Sequence, residues 1–81
     1  MTFAQAFRHH RIQSGLTQKD ISDFLKLDQA QMVSNVERGV GYFSRYNLKK
    51  ICAKYKWDYN KMAQIVIDEK YQALKDEWLG E

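Results

Sequence analysis

Apolar residues recur along the chain at helical spacing, in five groups separated by short polar turns. Phe3, Phe7 and His10 lie at i, i+4 and i+7 and share one helix face. Ile21, Phe24 and Leu25 form a second face, and Val33 and Val36, joined by Met32 or Ala30, a third. Leu48, Ile51, Cys52 and Tyr55 form a fourth. In the last group Met62, Ile65 and Val66 lie on one side, and Ile67, Tyr71, Leu74 and Trp78 then repeat at spacings of 4, 3 and 4, an a/d-like stripe. Turn and cap residues give the bounds. Thr2 with Gln5 three residues on matches a capping box, and Gly15 supplies a left-handed stop after a first helix ending near Ser14. Thr17 caps a short second helix, Gln18 to Leu25, with Asp20 in its first turn. After Lys26, Leu27 and Asp28, with Asp28 as cap, a third helix is predicted from Gln29 to Arg38, stopped by Gly39. Gly39 to Phe43 form a loop, Ser44 caps a fourth helix from Arg45 to about Lys56, and Asp58 caps a long fifth helix from Tyr59 to about Leu79.

The absence of proline and the presence of only four glycines agree with an all-α domain. At 81 residues, 44% hydrophobic and 14% aromatic, the chain reads as one small globular unit rather than a disordered one. A single cysteine excludes an internal disulfide framework and a cysteine-rich zinc site, and fits a reducing compartment. No signal-peptide core or membrane-length apolar run is visible. Charge is divided unevenly: residues 1–61 hold 11 Lys/Arg against 5 Asp/Glu, and residues 62–81 hold 2 against 5. A basic body with an acidic tail fits a polyanion-binding surface from which the last helix is kept away.

The pair of short helices at 18–25 and 29–38, joined by about three residues, carries the most information, because so short a turn forces a steep crossing, as in a helix-turn-helix. Ser22 is small where the second helix approaches. That second helix is apolar on one face and carries Gln29, Gln31, Ser34, Asn35 and Arg38 on the other. Gln and Asn can pair with adenine through two hydrogen bonds, and Arg with guanine, so Gln29, Gln31, Ser34 and Asn35 are the candidate base contacts. Gln18 and Lys19 lie at one helix start, and Arg45, Tyr46 and Asn47 at another, where free N–H groups favour anions. With Arg38, Tyr42, Lys49 and Lys50 they form a candidate phosphate-binding set; the competing reading of these side chains is ordinary solvated surface.

The runs Arg11-Ile12-Gln13-Ser14-Gly15-Leu16-Thr17-Gln18-Lys19-Asp20-Ile21-Ser22, Val33-Ser34-Asn35-Val36-Glu37-Arg38-Gly39, and Ser44 with Leu48-Lys49-Lys50-Ile51-Cys52 resemble the lambda-repressor/Cro (Xre-type) helix-turn-helix family, over roughly residues 7–62. The resemblance implies a five-helix DNA-binding domain, usually dimeric, that regulates transcription in bacteria and their phages. It matches Gln18 to the glutamine opening the first motif helix and residues 29–35 to the exposed part of the recognition helix. It also matches Arg11 and Glu37 to a pair tying the first helix to the end of the recognition helix. Three departures stand out. The turn is one residue longer than the commonest family pattern, which leaves the recognition-helix register open by one position. His10 replaces a usual leucine, and Lys56 the glycine that usually ends the fourth helix.

Other chemistry finds little support. His9 and His10 point about 100° apart on a helix and cannot ligate one metal together. Cys52 on an apolar face reads as a buried, inert thiol, and the carboxylates Asp68, Glu69, Asp76 and Glu77 are not organised as an acid–base pair. Neither an enzymatic activity nor a cofactor or metal is expected. Residues 1–62 are expected to form the DNA-binding domain. Residues 63–81 continue it as a helix whose stripe, Ile67, Tyr71, Leu74 and Trp78, forms a dimer seam or, alternatively, packs back on the first helix. The expected protein is a cytoplasmic, nucleoid-associated, bacterial or phage-encoded regulator, a repressor binding a palindromic operator on double-stranded DNA as a homodimer. The alternative is an antitoxin-like or adaptor module whose main partner is a protein.

Overall fold

Helix ends in this chain are set by local polar side chains, and the first is closed reciprocally. Thr2 Oγ1 accepts from Gln5 N–H at 3.1 Å while Gln5 Oε1 accepts from Thr2 N–H at 3.0 Å. A computed structural model describes residues 1–80. It contains α1 (Phe3–Gln13), α2 (Gln18–Phe24), α3 (Gln31–Glu37), α4 (Arg45–Tyr55) and α5 (Tyr59–Leu79), with no strand among the described residues. Thr17 and Asp20 close a second capping box, and Ser44 and Asp58 accept from Asn47 and Lys61 N–H. The pairs in closest contact are α1 with α3 and α5, α2 with α3, and α4 with α5.

Phe7 is fully buried at the centre, 6.2 Å from Phe3, 4.9 Å from Phe43 and 5.6 Å from Trp57 between ring centroids. Around it pack Ala6, Ile21, Leu25, Val33, Val36, Leu48, Ile51, Cys52 and Met62. Burial pushes the Cys52 thiol up to about 11, so it stays protonated and unreactive near neutrality. His10 is half-buried; its ring lies 5.3 Å from Trp57 and its Nδ1 bonds to the Ala6 carbonyl at 2.9 Å. Trp57 in turn donates its indole N–H to Ser14 Oγ at 3.0 Å, tying the end of α1 to the α4–α5 turn. No described helix is long and apolar enough to cross a membrane.

The structure departs from the sequence reading at the start of α3, which begins at Gln31 rather than Gln29. Asp28 caps nothing, and Ala30, the residue before the helix, has no side-chain oxygen to do so. The connection runs over residues 25–30 because α2 ends in a left-handed turn. Lys26 takes φ 59°, and Leu27 and Lys26 N–H donate back to the Ser22 and Asp23 carbonyls. Ser22, buried, then donates its hydroxyl to the Gln29 carbonyl at 2.9 Å and holds that residue in the turn.

Lys56 occupies the same left-handed region, φ 61°, at the end of α4. A side chain there costs roughly 1–2 kcal/mol that glycine does not incur, partly offset by the greater freedom glycine has when unfolded. Lys56→Gly is expected to stabilise the fold by about 0.5–1 kcal/mol, read as a higher urea midpoint at unchanged slope.

Candidate nucleic-acid interface

Val33 and Val36 face the core, which turns Gln31, Ser34, Asn35 and Arg38 outward at i, i+3, i+4 and i+7. These four form one polar stripe along α3. Its side chains are linked: Gln31 Nε2 donates to Asn35 Oδ1 at 2.8 Å, and Arg38 Nη1 donates to the same oxygen at 3.2 Å. Gln29, expected among them, lies outside the helix in the preceding turn, because the chain has not yet entered α3 there.

One end of the stripe is fixed by a shielded ion pair. Arg11 Nε donates to Glu37 Oε2 at 2.6 Å and Nη2 to Oε1 at 3.0 Å, with side chains only 13% and 4% exposed. Arg11 Nη1 donates to the Leu16 carbonyl at 2.8 Å, and Gln18 Nε2 to Glu37 Oε1 at 3.2 Å. The end of α1, the start of α2 and the end of α3 therefore meet on one carboxylate. The hydrogen bond to Glu37, ahead of its charge, raises the Arg11 pKa and keeps the guanidinium charged.

The expected phosphate contacts divide into three groups. Lys19 is exposed and pairs with Asp23 at 3.0 Å, one turn along the same helix, an interaction weak enough to exchange for another anion. The start of α2 already holds an anion of its own, since the Asp20 carboxylate accepts from Thr17 N–H at 2.8 Å. That hydrogen bond, with Thr17 N–H, lowers the Asp20 pKa. Arg45 and Tyr46 are exposed at the start of α4, Asn47 is half-buried there, and Lys49 lies 5.4 Å from the Tyr59 ring. Tyr42 is turned elsewhere: its hydroxyl donates to Glu69 Oε2 at 2.7 Å, and that bond raises its pKa.

Glu69 has a role that no sequence signal announces. Its other oxygen accepts from Phe3 N–H at 2.7 Å, so one carboxylate of α5 holds both the start of α1 and the loop after α3. Lys70 lies 4.9 Å from the Tyr42 ring beside it. Ile67, Tyr71, Leu74 and Trp78 are 56%, 64%, 54% and 76% exposed and stand outside the core around Phe7. Among the described residues, no three His, Cys, Asp or Glu side chains gather as metal ligands. No family model, curated protein or solved structure matches the chain.

Proposed function

We propose that the chain is a sequence-specific regulator that binds double-stranded DNA through a lambda-repressor-like helix-turn-helix formed by α2 and α3, and that it acts as a two-fold dimer joined through α5. The observation that carries this reading is the stripe of Gln31, Ser34, Asn35 and Arg38, whose side chains suit base edges. It is flanked by Lys19 before it and Arg45 and Lys49 after it, cations suited to phosphates. A solitary solvated helix face would need neither the shielded Arg11–Glu37 anchor nor flanking cations. Repression on a palindromic operator is part of the same proposal.

The test is anisotropy of a labelled random duplex titrated with the full chain at several salt concentrations. Neutralising about three phosphates per copy, one each for Lys19, Arg45 and Lys49, predicts a log–log salt slope of about −2.7 per copy. Flat, salt-independent retention, or none, would favour instead a protein-binding module whose contact surface is the exposed α5 stripe. On a selected site, Gln31→Ala and Asn35→Ala are each expected to weaken specific binding by about 1–3 kcal/mol while leaving random-duplex binding unchanged. Gln29→Ala is expected to be silent, since its backbone rather than its side chain is engaged. Equal losses on both duplexes would remove Gln31 and Asn35 from the reading surface.

A further inference from the structure

We propose that Arg38 locks the Asn35 amide as a donor, so that the base facing Asn35 is guanine rather than adenine. This rests on the DNA-binding reading above and specifies what that surface recognises. The guanidinium of Arg38 carries only donors, so the Asn35 atom 3.2 Å from it is the oxygen. A flipped amide would set N–H against N–H. Gln31 follows that choice and donates its Nε2 to the same oxygen at 2.8 Å. Both lone pairs of Asn35 Oδ1 are then occupied, while its Nδ2 has no acceptor among the described residues.

The two-bond contact of asparagine with adenine needs Oδ1 to accept from N6 while Nδ2 donates to N7. The lock removes the first half of that contact. Guanine offers two acceptors and no donor on its major-groove edge, N7 and O6, which match Asn35 Nδ2 and the remaining N–H groups of Arg38. Thymine offers one acceptor beside a methyl group and fits a pair of donors less well. Without Arg38, the Gln31–Asn35 pair can invert, with Nδ2 donating to Gln31 Oε1. Oδ1 is then released and adenine becomes readable.

The experiment selects bound duplexes from a random pool with the wild-type chain, Arg38→Met and Asn35→Ala, each shown to be folded by circular dichroism. Asn35→Ala is expected to erase the preference at one position of the half-site. In the wild type that position should carry guanine over adenine by about tenfold. Arg38→Met should lose that preference or turn it to adenine while the other positions keep theirs. The lock is refuted by adenine at that position in the wild type. It is equally refuted by a guanine preference surviving Arg38→Met, or by a wild-type consensus unchanged in Asn35→Ala, since Arg38 would then read the base alone. Salt-dependent binding with no enriched sequence refutes the lock and leaves DNA binding standing; no binding at all removes both.

Discussion

Glu37→Ala is expected to destabilise the fold by about 3 kcal/mol, the largest stability effect of any single polar substitution in this chain. The carboxylate it removes is 4% exposed and accepts from Arg11 twice and from Gln18 once. Without it the Arg11 guanidinium, itself 13% exposed, keeps only the Leu16 carbonyl as partner. Stranding a shielded charge in this way costs far more than the net worth of the pair, which is small once desolvation is counted. The same asymmetry gives the control. Arg11→Met with Glu37→Leu leaves no charge unpaired, and the double variant is expected to recover most of the loss. A domain of this size is stable by roughly 4–12 kcal/mol, so urea unfolding resolves a 3 kcal/mol change easily. Strictly additive single effects would show the two side chains to be uncoupled. The damage should also reach α2, because Gln18 is held by the same carboxylate.

The helix ends were legible in the sequence wherever the determinant was local. Thr2, Thr17, Ser44 and Asp58 cap the helices at the positions their side chains suggest, and Gly15 and Gly39 stop helices at positive φ. The start of α3 was not legible. Asp28 has the chemistry of a cap, but Lys26 has already turned the chain into the left-handed region, where a lysine gives no warning of itself. The displacement of Gln29 from the polar stripe of α3 follows from that one residue. Arg11 and Glu37 could be paired in advance only through family resemblance, since neither composition nor periodicity links residues so far apart. In the sequence Glu69 is one of several acidic residues on the last helix, with nothing local to set it apart. Its contacts with Phe3 and Tyr42 span 66 and 27 positions and depend on how α5 lies against α1, a property of the packed fold.

Leu74→Glu combined with Trp78→Ala is expected to give a folded monomer that has lost most of its affinity for a selected two-fold site. Both residues belong to the outer half of α5, where Leu74 and Trp78 are 54% and 76% exposed and contribute nothing to the core around Phe7. A helix with large apolar side chains at a/d spacing, left uncovered, exposes surface that a second copy can bury. Each such side chain contributes roughly 1.5–3 kcal/mol when fully buried. In the proposed dimer, burying four of them, with Leu79 alongside, would exceed the association cost enough for dimerisation at about micromolar concentration or tighter. The gain for recognition is larger than the interface itself. Once one copy is bound, the second half-site contact becomes intramolecular, which can strengthen binding by 10²-fold or more without any new contact. In the proposed dimer Glu69 would stiffen the joint, because the carboxylate that fastens α5 to α1 also holds the loop following α3. Tyr42→Phe should therefore leave dimerisation intact while loosening that loop, whereas the Leu74/Trp78 variant should do the reverse. Sedimentation, circular dichroism and binding to whole and half sites separate the cases. Unfolding of the double variant would place the stripe in the monomer core, and a persistent dimer would place the interface elsewhere. Unchanged binding to the whole site by a proven monomer would show that the two halves are read independently.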